Sequence, residues 1–198
     1  MRKIKLFLVV ACVAMLAACN TKPAETEKEM KYENETIASI MERRSIRKYK
    51  PKTVARETLE KIMECGINAP NGQNKQSWEV RVVNNPTVMA EINAVIAEAY
   101  GEKAEMAVGC FRGAPVMVFI ARDLSYDFSA YDCGLLAENI MLSAQSLGVG
   151  SICLGSPVRI INDNEACAPV LERLGFSEGY EFCLCVGLGY ADETPEAK

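Results

Sequence analysis

Apolar residues along the chain change their spacing several times, and each change marks a predicted element. Ile37, Ile40 and Met41 recur at helical intervals just before Arg43. Leu59, Ile62 and Met63 share one face of a second helix, Arg56 to Cys65, with Gly66 as its stop. Asn68 to Lys75 carries Pro, Asn and Gly and reads as a loop. Trp78 to Val83 alternates and is β-branched, which predicts a strand. Helical spacing returns from Thr87 to Tyr100 through Met89, Ile92, Val95 and Ile96, and Gly101 ends it. Ala114 to Ala121 is an almost continuous apolar run, short enough for a buried strand.

The longest helix is predicted from Tyr131 to Leu147, ringed by Leu135, Leu136, Ala137, Ile140, Met141, Leu142 and Ala144. A helix apolar around most of its circumference must be covered on several sides. Val149 to Leu154 follows as another buried strand. Ile161 to Leu174 has helical spacing but contains Pro169, so a kink or split is expected there. Tyr180 to Gly187 reads as the last strand. Helices and unevenly spaced strands are mixed, which fits an α+β sandwich better than a regular Rossmann alternation. Gly187-Leu188-Gly189 comes after that strand with no helix behind it, a poor dinucleotide fingerprint.

The first residues follow different rules. Arg2, Lys3 and Lys5 form a basic head, and Leu6 to Leu16 an apolar run too short to span a bilayer as a mature helix. The run ends in Leu16-Ala17-Ala18-Cys19, which resembles the lipobox of bacterial lipoproteins, where Cys19 would be lipidated and become the mature N-terminus. An ordinary signal peptide with a chance cysteine is the alternative. Residues 20–35 are polar and charged, with too little apolar surface to offset the entropy of ordering, and read as a tether. Three parts are therefore expected: a leader over 1–19, a tether over 20–35 and one folded domain over 36–198. The expected location is the bacterial cell envelope, facing the periplasm or exterior, with the membrane reached through lipidated Cys19.

Charge and composition narrow the chemistry. Without the three basic residues ahead of Cys19, 19 basic residues face 26 acidic ones, a balance of −7. No basic stripe exists to neutralise phosphates, so nucleic acid is not an expected partner. There is no histidine, which removes Ser-His-Asp and Cys-His catalysis and imidazole-bound zinc. Of nine cysteines, Cys12 and Cys19 belong to the leader and its end. The other seven form no Cys-x-x-Cys pair, so neither a zinc ribbon nor a full disulfide framework follows. Most have apolar neighbours and read as small buried hydrophobes.

Three segments carry chemistry. Arg43-Arg44-Ser45-Ile46-Arg47-Lys48-Tyr49 puts guanidinium forks and a hydroxyl at a helix end, donors suited to a cluster of phosphate oxygens. Alone, it would read as a solvated basic turn. Ala69-Pro70-Asn71-Gly72-Gln73-Asn74-Lys75-Gln76-Ser77-Trp78 is a loop entering a strand, where backbone and amide groups can reach a ligand. Asp132-Cys133-Gly134-Leu135-Leu136-Ala137-Glu138-Asn139, followed by Leu142, Ala144, Leu147 and Gly148, is the long helix. In type, order and spacing the three are similar to the nitroreductase family of FMN enzymes, over about Ile37 to Lys198.

That resemblance implies a sandwich with a central, mostly antiparallel sheet flanked by helices, and an obligate homodimer in which each flavin is clasped by both subunits. It implies that Arg43 and Ser45 hold the FMN phosphate and that Arg44 shares it or faces solvent. Arg47 would sit at the flavin pyrimidine edge, where a cation stabilises charge on the reduced ring. Asn71, Gly72 and Asn74 would contact a flavin bound mainly by the partner. The Leu154-Gly155 backbone would face the isoalloxazine, and Lys198 would grip phosphate from the chain end. Ser77 stands where the family has Pro. NADH or NADPH is the implied donor, and nitroaromatics, quinones or similar small molecules the acceptors, in ping-pong kinetics. No side chain is expected as general acid or nucleophile. The segment Glu102 to Gly113 could stand in for a lid, and Tyr126 and Phe128 read as packing more than as pocket lining. The alternative function is a non-catalytic flavin- or small-ligand-binding lipoprotein on the same fold.

Overall fold

A computed structural model describes residues 32–196. The expected leader with Cys19, residues 20–31 of the expected tether, and Lys198 lie outside the described residues.

Helix α1, Glu35–Glu42, starts at Asn34, whose side chain accepts the Ile37 amide at 3.0 Å. It buries none of its residues, and Ile40 and Met41 are about half exposed. Helix α2, Arg56–Ile67, overruns its predicted stop. Gly66 lies inside it because a Cβ there would meet Ile140 Cγ1 at 2.6 Å, so this glycine serves helix contact, not termination. Strand β1 is Trp78–Val83, as its alternation predicts. Helix α3, Pro86–Tyr100, is capped by the Asn85 side chain, which accepts the Thr87 amide at 2.9 Å. Its proline occupies the first turn, where the missing N–H costs nothing.

A short helix α4, Ala104–Val108, lies between turns at Gly101–Lys103 and Gly109–Phe111, in a stretch with no apolar period to announce it. Strand β2, Val116–Asp123, leads to the long helix α5, Ser129–Ser146, and then to β3, Gly150–Leu154. The predicted helix over 161–174 is two: α6, Ser156–Asn162, and α7, Ala168–Leu174. The break falls at Asn164, whose side chain caps the turn at Glu165–Cys167. Pro169 therefore opens α7 instead of kinking a longer helix. Strand β4, Tyr180–Gly189, runs two residues past its predicted end at Gly187. A Cβ at Gly189 would sit 2.7 Å from Pro115, so only glycine lets the 114–115 segment lie this close.

The four strands form one antiparallel sheet in the order β1-β2-β4-β3, with helices on both faces, an α+β sandwich as expected. Val116, Val118 and Ile120 of β2 point to a core shared with α2 and α5. Met117 and Phe119 point to a second core with α3, α6 and α7. Phe119 packs against Phe111 and Phe182 at centroid separations of 5.9 and 5.6 Å.

Between β2 and β4 the register slips once. Ile120 faces Leu184 and Ala121 faces Phe182, leaving Cys183 as the extra residue of a β-bulge. The alternation resets there: Phe182 and Cys185 enter the second core, while Cys183 and Leu184 both pack on the α5 side. Among the described residues no helix is long and apolar enough to cross a membrane, and no cluster of His, Cys, Asp or Glu could hold a metal.

Candidate cofactor site

The arginine segment is extended and lies along the free edge of β3. Ser45 bridges Ser151 in parallel, and the Ile46 amide donates to the Ser151 carbonyl at 3.0 Å. On its other side it meets the end of the chain. Tyr49 pairs with Ala191, and the Asp192 amide donates to the Lys48 carbonyl at 2.9 Å. The Glu193 carboxylate accepts the backbone amides of Arg47 and, at 3.0 Å, Lys48. Tyr49 donates to the Ile46 carbonyl at 2.7 Å, and burial, reinforced by Glu193, pushes its phenol well above the usual range.

The four predicted polar residues here have different surroundings. Arg43 keeps Nη1 buried with no hydrogen-bond partner, and its charge reaches the Cys153 thiol on β3. A buried guanidinium N–H left unpaired is costly unless an anion completes it. Arg44 is half-buried and bonded to the fold through two of its nitrogens. It donates to the carbonyls of Met41 and Arg43 at 2.8 Å each and to that of Glu196 at 3.1 Å. It thereby serves as a C-terminal cap for α1. Ser45 is half-buried beside Arg43, and Arg47 is exposed, with one N–H on the Ser45 carbonyl at 3.2 Å.

Leu154 is buried at the end of β3, and Gly155 opens α6 with nothing within 4 Å of a Cβ placed on it. Backbone with no side chain above it leaves a face that a flat ring can approach. Ser156 and Ile160 border a cleft of about 840 Å³ whose opposite wall includes Lys103, Met106, Cys110 and Arg112. Arg112 adopts a left-handed backbone, φ 56°. Burial pushes the Cys110 thiol up to about 12, with Arg112 opposing, which leaves it protonated and unreactive near neutrality. Lys103 and Arg112 escaped the sequence reading because their segment has no motif. A smaller, mostly apolar cleft of about 550 Å³ lies across the 108–116 segment against α3 and holds none of the predicted residues.

The loop Asn71 to Gln76 is anchored elsewhere, on the N-terminal part of α5. Asp132, buried in the helix, accepts the Gly72 amide at 3.0 Å and the Ser77 hydroxyl at 2.6 Å. Asn71 accepts the Gln76 amide at 2.8 Å. Gln73, Asn74 and Gln76 all have positive φ, between 49° and 56°, a strained run for non-glycine residues that this anchoring sustains. Asn74 stands exposed at its tip. Gly72 abuts the Tyr126 hydroxyl, which a Cβ would approach to 2.0 Å. Phe128 packs edge-on against Tyr126 at a centroid separation of 5.7 Å yet stays 57% exposed, whereas Trp78 is core. Asp132 and Tyr126 belong to the site's scaffold. The sequence named both without showing that they meet this loop.

The structure thus joins 43–47 and 153–156 along one edge and holds 71–76 at the start of α5. The donor set of the first group suits FMN: Arg43 has a buried N–H without a protein partner for a phosphate oxygen, and the bare Gly155 backbone on the same edge leaves room for a flat ring. The chain is 34% identical to a nitroreductase with bound FMN from Desulfitobacterium hafniense, with a TM-score of 0.74, covering 84% of this chain and 94% of that one. It is 29% identical to a nitroreductase with bound FMN from Bacteroides fragilis, with a TM-score of 0.72, covering 83% and 92%. An NADPH-flavin oxidoreductase of Vibrio harveyi is 30% identical over 176 residues, 83% of this chain and 69% of that protein. The Nitroreductase family model matches residues 40–190, and by that match the chain belongs to the nitroreductase family.

Proposed function

We propose that the protein is an FMN-dependent oxidoreductase that uses NADH or NADPH to reduce nitroaromatic, quinone or similar small acceptors. The observation that carries this reading is the buried Arg43 Nη1 left without a protein partner, in a domain of this family. FMN, when bound, supplies the hydride chemistry that a chain without histidine lacks. The protein's part is to bind, orient and polarise. Arg43 and Ser45 would hold the phosphate, with Lys198 from the chain end. Arg47 would place positive charge at the pyrimidine edge, and the Leu154-Gly155 backbone would lie against the ring. Donor and acceptor then use the same cleft in turn, which predicts ping-pong kinetics.

The working unit is a homodimer. Tyr131 and Leu135 of α5 and Leu147 just past its end, with Ile40 and Met41 of α1, are exposed on a single protomer. So many large apolar groups at helical spacing call for a covering surface. A second copy would bring Asn71, Gly72 and Asn74 to the flavin held by its neighbour. Residues 1–19 would direct export, and lipid on Cys19 would hold the enzyme at the cell envelope, a reading that rests on the sequence of the leader alone.

Purified protein reconstituted with FMN should absorb near 450 nm, as oxidised flavin does, and bleach anaerobically with NADH or NADPH. A nitroaromatic or quinone should restore the colour. Protein that stays colourless and rejects added FMN would leave only a binding module, and bound flavin that no nicotinamide reduces would point to another electron donor. Mass spectrometry of the mature N-terminus tests the anchor, and an unmodified start elsewhere would remove it.

A further inference from the structure

Two cysteines from distant parts of the chain meet at the β-bulge. Cys183 is the extra residue of β4, and the bulge turns it toward the core shared with α5. Cys133, on α5, places its Sγ 3.7 Å from the carbonyl of Ala121, the β2 residue at which the register slips. Both thiols are free and pack into the same core between the sheet and α5, on either side of the slipped register. Cys133 is fully enclosed, whereas Cys183 is half-buried and so remains open to a reagent.

We propose that Cys133 and Cys183 form a redox-convertible pair, closing to a disulfide that staples α5 to β4 when a small disulfide of the glutathione class is present. Cys183 attacks first. The Cys133 hydrogen bond holds its thiol below the usual range, Arg122 adding to this against the opposing effect of burial. Arg122 is itself fixed by Glu181 at 2.7 Å. The Cys183 thiolate breaks the glutathione S–S bond and forms a mixed disulfide, and one glutathione leaves as its thiol. Cys133 then attacks Cys183 Sγ, and the second glutathione leaves as its thiol. One S–S bond is broken and one formed, and the two electrons lost by the protein are gained by the reagent. The same hydrogen bond, followed by burial, holds the Cys133 thiol high, so closure is the slow step. Its neighbour Asp132 holds the Gly72 loop, and the staple therefore also fixes the base of that loop.

The full chain, saturated with FMN, is incubated with oxidised glutathione, alkylated and cut with a glutamate-specific protease, and fragmentation of any linked peptides tells Cys133 from Cys110 and Cys183 from Cys185, which share their peptides. The expected result is the loss of two free thiols per chain, one linked peptide pair joining Cys133 to Cys183, and full reversal by dithiothreitol. The thermal midpoint should rise on oxidation, and Cys183→Ser should abolish the rise. Thiols that all persist in excess reagent, glutathione that stays on Cys183 without closure, or a link through any other cysteine would each overturn the proposal. Should Cys183→Ser fail to fold, the mapping on the native chain decides alone.

Discussion

The Asp132 carboxylate accepts the Gly72 amide at 3.0 Å, so a helix residue 60 positions away determines where the candidate ligand loop stands. The same carboxylate takes the Ser77 hydroxyl, and it is 3% exposed. Replacing Asp132 with Ala leaves two donors unsatisfied, at about 1–3 kcal/mol for each buried group. The expected outcome is a thermal midpoint lower by several degrees and weaker flavin retention. Asp132→Asn, which can still accept one of the two bonds, should fall between. Equal stability of all three proteins in urea would refute this anchoring.

Arg43 and Arg44 are adjacent, yet their substitutions should separate cleanly. Arg43→Ala removes the donor left without a protein partner, and loss of one charge-assisted bond to phosphate weakens FMN binding about 10- to 100-fold. Arg44→Ala instead releases the end of α1 and lowers stability with far less effect on FMN. A flavin fluorescence titration checks both. Equal FMN affinities in the two variants would contradict the assignment.

Two glycines on neighbouring helices should respond to alanine with opposite signs. At Gly134 nothing lies within 4 Å of a new Cβ, so a lone protomer gains about 0.5–1 kcal/mol of helix propensity. At Gly66 the same gain meets Ile140 Cγ1 at 2.6 Å, and overpacking of about 1–3 kcal/mol outweighs it. Gly134 shares its exposed face with Tyr131 and Leu135. Leu135→Glu should therefore split the dimer in sedimentation experiments, and a monomeric native protein would refute the proposed interface.

The pH dependence should carry a mark of Tyr49. Its folded-state pKa is raised, by burial first and Glu193 second, so the unfolded chain ionises before the folded one. Its contribution is whole below the ordinary tyrosine value of about 10 and is lost as pH rises beyond it toward the folded value. Tyr49→Phe strands the Ile46 carbonyl and costs about 1 kcal/mol at neutral pH. The gap to the native protein should close above about pH 10. A gap that stays constant through alkaline pH, measured by urea unfolding, would exclude Tyr49 as the source.

The elements built on strong periodicity were legible in advance. β1 matched residue for residue, because alternating β-branched residues bounded by a loop leave little choice. Helix α5 was recognisable by its apolar girth, and its ends moved by only a residue or two. Gly66 misled because a lone glycine near a helix end signals termination, whereas here the neighbouring α5 required it. Pro169 signalled the split correctly, and only its place was hidden, since a proline that opens one helix looks locally like one that breaks another. Glu193 on the Arg47 and Lys48 amides joins residues about 145 positions apart, and no local pattern announces such a pair. Asp132 appeared in a motif, but its partners became visible only once α5 and the loop had been brought together.

The stretch from Arg44 to Lys50 is bonded to the last described residues as well as to β3. The two ends of the domain are therefore laced together at the edge that holds the candidate phosphate site. Tension applied at Asn34 would be borne first by this lacing, in shear, before it reached the sheet. Under mechanical load the cofactor's grip would loosen ahead of the core, so handles for single-molecule pulling belong on α3 or α7, away from that seam.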